Sequence, residues 1–166
     1  DEVLTLFHEW GHCLHHVLTQ VPYLSVSGIH GVEWDAVELP SQFFENWCWK
    51  EEALQLLTAH VDTGESLPQE LLEKCLTAKN FQAAMGLMRQ FEFAWLDLRL
   101  HDEFRKIDDQ FVQKIISEVR QKTAFLPPLP YNRFQNSFSH IFAGGYAAGY
   151  YSYLWAEVLS SDAFAR

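Results

Sequence analysis

Apolar residues recur along this chain at helical spacing and almost nowhere in strict alternation. Val3, Leu4, Phe7, Trp10, Leu14, Val17 and Leu18 mark the buried side of a helix over about residues 2–20. Pro22, Ser25, Ser27, Gly28 and Gly31 then signal a loop, with a short extended piece expected at 23–26. A second helix is predicted from Trp34 or Asp35 to about Trp49, with Pro40 in its first two turns, where proline is tolerated. A third covers about 51–60 and stops at Asp62-Thr63-Gly64. Ser66-Leu67-Pro68-Gln69-Glu70 reads as the next helix start: Ser at the cap, Pro just inside, acid in the first turn. Phe81, Met85, Met88, Phe91, Trp95, Leu98 and His101 trace a long helix over about 80–104, and another is predicted over about 108–122. Leu126-Pro127-Pro128-Leu129-Pro130 breaks the pattern. A final helix is predicted to start directly after Gly144-Gly145 and to run to the end. The class is mainly α, with no internal repeat or low-complexity tract.

The chain has 166 residues, about one domain, and its 48% hydrophobic content can fill a core. It opens on Asp1 rather than Met, and the last helix is still running at Arg166, so it is expected to be part of a longer protein. Charge narrows the partners. With 22 acidic and 12 basic residues the net charge is -10, which argues against nucleic acid and against anionic membrane. The longest uncharged stretch without His, residues 141–156, falls short of the roughly 20 apolar residues of a spanning helix, and it reads as interior. Cys13, Cys48 and Cys75 are odd in number and widely spaced, so neither a thiolate zinc site nor a disulfide framework is indicated. A reducing, cytoplasmic location is expected, and Cys13 reads as a buried, inert thiol.

One motif carries chemistry. His8-Glu9-Trp10-Gly11-His12 is an H-E-x-x-H sequence inside the first predicted helix. Residues four apart share a helix face, about 6 Å apart along the axis, so two imidazoles can converge on one tetrahedral zinc ion. Glu9 is offset by a fraction of a turn. It can reach a water activated by zinc, remove its proton and pass that proton to a leaving amine. Gly11 costs about 1 kcal/mol against Ala in mid-helix, which points to close packing or to room above the site.

A catalytic zinc needs a third protein ligand. A His at position 18 would complete the astacin-like extension, but the chain has Leu18 there, and His15 where Gly is required. His16 lies eight residues from His8, about 12 Å along the axis and too far to share an ion easily. His15 and His16 fit packing or hydrogen-bonding roles better. The remaining candidates are Glu33, Asp35, Glu38 and Glu45. Glu38 comes 26 residues after His12, enough for a loop and an antiparallel return. Glu45 shares its face seven residues on, and Glu45 or Asp35 can orient a ligand histidine through its second nitrogen.

Three motifs in order make the chain resemble a known family. Phe7-His8-Glu9-Trp10-Gly11-His12, then Val37-Glu38-Leu39-Pro40-Ser41-Gln42 with Glu45-Asn46-Trp47, then Phe138-Ser139-His140-Ile141-Phe142-Ala143-Gly144-Gly145-Tyr146 with Tyr150-Tyr151-Ser152-Tyr153-Leu154-Trp155, resemble the thimet oligopeptidase family of zinc peptidases, in its bacterial branch. The resemblance implies a helical zincin-type catalytic domain, of which residues 1–166 form part, inside a two-lobed protein whose channel admits short unfolded peptides. It implies one zinc ion held by His8, His12 and Glu38, with Glu9 as general base. It places His140, Tyr146 and Tyr153 where the family binds substrate and stabilises the transition state. Tyr146, Tyr150 and Tyr153 are also spaced i, i+4, i+7 and would share a helix face, which makes Tyr150 a further substrate-binding candidate. A phenol can donate to a developing oxyanion; an aromatic core stripe would show the same spacing. Gly144-Gly145 reads as a loop that positions these side chains or as a plain helix start. A zinc or peptide-binding module without turnover is the second reading of the chain.

Overall fold

The computed structural model describes residues 2–105, 110–126 and 128–166. Its regular elements are all helical; no strand occurs among the described residues. The mainly α class follows directly from the spacing of the apolar positions.

The chain divides into two compact units, Asp1–Phe81 with Trp155–Arg166, and Gln82–Leu154. In the first, α1 (Glu2–Val17) packs against α2 (Leu39–Glu45). The contact is close because Gly11 lacks a side chain. A Cβ there would lie 2.5 Å from the Pro40 carbonyl oxygen and 2.6 Å from Ser41 Cα. Between them, the expected extended piece at 23–26 is instead a 3₁₀ turn, Leu24–Val26, followed by another at Gly28–Gly31. The second predicted helix is broken into a 3₁₀ turn at Trp34–Ala36, α2, and a 3₁₀ turn at Asn46–Trp49. Pro40 sits in the first turn of α2, as its missing N–H requires. α3 (Glu51–Leu57) ends earlier than expected, and α4 (Gln69–Lys79) starts after Pro68 rather than at Ser66. The end of the chain is held here by Phe164, whose ring meets Phe43 and Trp47 at 5.7 and 5.3 Å, and by Asn46 Nδ2 donating to Ser160 Oγ at 3.0 Å.

In the second unit, α5 (Ala83–Glu103) packs along α6 (Phe111–Thr123). The predicted start of α6 at 108 lies outside the described residues. Leu96, Leu100, Ile115, Ile116 and Val119 interlock with Phe138, Ile141 and Tyr150 in one core. Burying a Leu or Ile side chain contributes about 1.5–3 kcal/mol. Arg120 donates to Glu92 Oε1 at 2.8 Å and to Asn132 Oδ1 at 2.9 Å, so this buried pair is satisfied rather than orphaned.

The last helix, α7 (Ser152–Phe164), begins well after the glycine pair. Residues 142–151 form turns instead. Gly145 at φ 84° and Ala148 at φ 53° are left-handed, which interrupts helical hydrogen bonding. The expectation that Tyr146 and Tyr150 lie on that helix is therefore corrected. Cys13 is corrected too: it is exposed, and Cys48 is the buried thiol. No helix among the described residues is long and apolar enough to cross a membrane.

Candidate metal centre

Two turns of α1 and the start of α2 build one cluster in the first unit. His8 and His12 project from the same face of α1, with ring centroids 5.0 Å apart and planes nearly perpendicular. Glu38 is the residue that caps α2 and is only 2% exposed. Its Oε2 lies 3.2 Å from His8 Nε2 and 3.1 Å from His12 Nε2. All three potential ligand atoms lie within 4.8 Å of one another.

Each partner of these groups has a traceable origin. The Ser41 hydroxyl, fully buried one turn into α2, lies 2.8 Å from Glu38 Oε2 and 2.9 Å from the Glu38 carbonyl oxygen. It has one proton to donate, which the two acceptors share. His8 Nδ1 is 2.6 Å from Glu45 Oε1. Of the two carboxylates considered as orienters, Glu45 is the one found on a histidine. His8 is pushed up to about 10, first by its hydrogen bond to Glu38 and then by that to Glu45. His12 Nδ1 is buried without a hydrogen-bond partner among the described residues. Glu9 is exposed on α1. Burial holds His15 below the usual histidine range, helped by His16 and His12. The ring of His16 covers Gly28, where a Cβ would fall 2.3 Å from His16 Nδ1, and it meets His30 at 6.3 Å. Both histidines therefore take part in packing.

The donor set fits zinc. Two imidazole nitrogens and one carboxylate oxygen form a known catalytic zinc set. Zinc bonds of about 2.0–2.2 Å at tetrahedral angles put neighbouring ligand atoms roughly 3.3–3.4 Å apart. The two Nε2 to Oε2 separations, 3.2 and 3.1 Å, lie close to that edge. Glu38 is buried on this spot, a position that only compensating positive charge or hydrogen-bond donors make tolerable.

The whole chain, residues 1–166, matches the model of peptidase family M3. The chain belongs to peptidase family M3. This is the thimet oligopeptidase family that its motifs resemble. Among M3 relatives, it is 58% identical over 166 residues to oligopeptidase A of Escherichia coli strain K12, covering 100% of this chain and 24% of that protein. It is 53% identical over 163 residues to the organellar oligopeptidase A of Arabidopsis thaliana, covering 98% of this chain and 21% of that protein. It is 33% identical over 165 residues to saccharolysin of Saccharomyces cerevisiae, covering 99% and 23%. The chain thus spans about a quarter of the length of these M3 peptidases.

The other sequence candidates form a cluster of their own in the second unit. Tyr146 stacks on Tyr153 with centroids 5.0 Å apart and an interplanar angle of 23°. Tyr150 lies 5.0 Å from Tyr153. His140 meets Tyr146, Tyr150 and Tyr153 at 6.3, 5.9 and 6.5 Å. Turns bring Tyr146 and Tyr150 to Tyr153 in the first turn of α7, where sequence spacing suggests one helix face for all three. Tyr150 is buried against Phe93 and Phe138 within the core, and burial raises its phenol above the usual range.

Two residues that hold these clusters are not singled out by the sequence. Ser41 lies three after Glu38 in the Val-Glu-Leu-Pro-Ser-Gln motif, a spacing that could mark it. Asp97 accepts the Ala148 and Tyr150 N–H groups beside the tyrosines, and its signal is an acid between Leu96 and Leu98 within the long helix.

Proposed function

We propose that this chain carries the catalytic centre of a zinc-dependent endopeptidase acting on short, unfolded oligopeptides. Residues 1–166 are then part of its catalytic domain. One observation carries the reading: two Nε2 atoms converge within 3.2 Å on a single oxygen of a buried glutamate. Membership of the M3 family and the names of the relatives support peptide hydrolysis.

His8, His12 and Glu38 would hold the metal. When bound, zinc supplies Lewis acidity, which acidifies water and polarises a carbonyl. The protein's own residues do the rest. Glu9 takes a proton from the attacking water and delivers it to the leaving amine. Glu45 fixes the plane of the His8 ring through Nδ1, leaving Nε2 for the ion. Ser41 holds the Glu38 carboxylate toward the two imidazoles. On the family resemblance, Tyr153 and His140 stabilise the developing oxyanion and Tyr146 binds substrate. Tyr150, buried in the core, packs against the Tyr153 ring.

The test is Glu9→Gln in the full-length protein. The variant should hold stoichiometric zinc by metal analysis and lose nearly all cleavage of a fluorogenic peptide. Full activity in that variant would rule out Glu9 as the base. A protein that takes up no divalent metal at neutral pH would rule out the centre itself.

A further inference from the structure

Asp97 sits in the interior of α5 with a side chain that is 0% exposed. Nothing in a helix interior calls for a carboxylate, and burying one is costly unless donors surround it. The donors are main-chain groups far along the chain. Oδ1 accepts the Ala148 N–H at 2.9 Å, and Oδ2 accepts the Tyr150 N–H at 2.9 Å. The Nδ1 of His101, one turn along α5, lies 2.9 Å from Oδ1.

These two amides converge because Ala148 is left-handed, at φ 53°. Alternation of right- and left-handed residues turns successive N–H groups to one side and makes a small concavity that suits an anion. A left-handed alanine costs of order 1–2 kcal/mol, so the conformation needs something to hold it. Two charge-assisted hydrogen bonds to a buried carboxylate are strong enough to do so. The rest of the segment is tied to itself: the Tyr146 N–H donates to the His140 carbonyl at 2.9 Å and the Gly149 N–H to the Tyr146 carbonyl at 2.9 Å. Gly144 allows this, since a Cβ there would meet His140 Cα at 2.7 Å.

What the segment carries is the tyrosine cluster. Ala148 and Tyr150 lie between Tyr146 and Tyr153, whose rings stack only if the backbone joining them keeps this path. We propose that Asp97 is a positioning residue for the peptidase reaction: its buried carboxylate anchors the 144–151 segment and so sets Tyr146 and Tyr153. It is not a catalytic residue, because both its oxygens are taken by the protein and it is sealed from solvent. The kinetic part of this inference rests on the peptidase reading given above; the anchoring part does not.

The experiment uses Asp97→Asn in the full-length, zinc-loaded protein. Asparagine keeps the shape but turns one acceptor into a donor, so at most one of the two amides stays bound. Hydrogen exchange over residues 144–151 should accelerate at least tenfold relative to the unchanged protein, with zinc content the same. On peptide cleavage, kcat should fall by about 100-fold, the scale of an ångström-level misplacement, and KM should rise as well, because the same segment carries Tyr146. A general loss of structure would lower zinc content too. Unaltered exchange in a folded Asp97→Asn protein overturns the anchor, and an unchanged kcat beside accelerated exchange overturns the kinetic part. If that variant does not fold, the unchanged protein still decides: Ala148 and Tyr150 amides that exchange as fast as an unprotected peptide overturn the proposal. Zinc-loaded unchanged protein that cleaves no peptide sinks the peptidase reading instead, and the exchange measurements then judge the anchor alone.

Discussion

A buried carboxylate between two imidazoles is the residue-scale feature on which this centre depends, and Ser41 is the least conspicuous part of it. Glu38 Oε2 faces three groups, two ring nitrogens and one hydroxyl, at 3.1–3.2 and 2.8 Å. Removing the hydroxyl takes away one hydrogen bond that holds the carboxylate toward the nitrogens. Ser41→Ala should therefore weaken zinc binding by about 10- to 100-fold, the usual loss when a ligand's hydrogen-bond partner is deleted. Competition against a chelator of known affinity measures it, and an unchanged affinity would show that Ser41 only fills space. The pairing of His8 and His12 as proposed ligands was legible because their spacing is a property of helix geometry alone. The proposed third ligand was not legible in that way. Four acids lay within reach, and only the family resemblance singled out Glu38, since spacing cannot say which carboxylate a loop will return. Tyr150 shows the same limit from the other side: its spacing fitted a substrate-facing stripe and an aromatic core equally, and burial places its ring in the core.

Two helical glycines separate close packing from mere tolerance at the scale of elements. Gly11 in α1 has the backbone of Pro40 and Ser41 against it, at 2.5 and 2.6 Å from a would-be Cβ. Gly86 in α5 has nothing within 4 Å of the same point. Alanine gains about 1 kcal/mol of helix propensity at either site. At Gly86 that gain stands alone, so Gly86→Ala should stabilise the protein by about 0.5–1 kcal/mol. At Gly11 the methyl meets main chain that cannot rotate aside. Overpacking of about 1–3 kcal/mol or more outweighs the gain, and Gly11→Ala should be destabilising and bind zinc less well. Denaturant midpoints for the two variants check the sign; a stabilised Gly11→Ala would mean that α1 and α2 are not in contact. The sequence showed Gly11 as an expensive residue without showing what it faced. It also showed α1, α5 and most of α6 to within a few residues, because long apolar periodicity dominates there. It failed at the last helix. The Tyr spacing invited a helix from 146 onward, while two left-handed residues and a carboxylate 51 residues away impose turns. Long-range hydrogen bonding of this kind leaves no mark in local pattern.

At the scale of the molecule, the ion would join segments that the chain itself connects only through a long irregular stretch. His8 and His12 lie on α1 and Glu38 at the start of α2, with a run of 3₁₀ turns between them. A metal bound to all three closes that stretch in the folded state and is held far less well by the unfolded chain, so its binding energy becomes stability. The gain is about 2.7 kcal/mol at free zinc 100-fold above Kd and about 4.1 at 1,000-fold. For a chain of this size 1 kcal/mol moves Tm by about 2–4 °C, so saturating zinc should raise Tm by roughly 5–15 °C. Excess chelator should reverse the shift. Net charge sharpens the control: at -10 the surface offers many acids that collect divalent ions weakly. Glu38→Gln alters that total by a single charge but removes the ligand that bridges the two elements. If the ion sits where the geometry directs it, Glu38→Gln loses nearly all of the zinc-dependent rise, while an exposed acid such as Glu70→Gln keeps it. A rise of equal size in the Glu38→Gln protein would place the stabilising ion elsewhere and would detach the peptidase reading from the α1–α2 cluster.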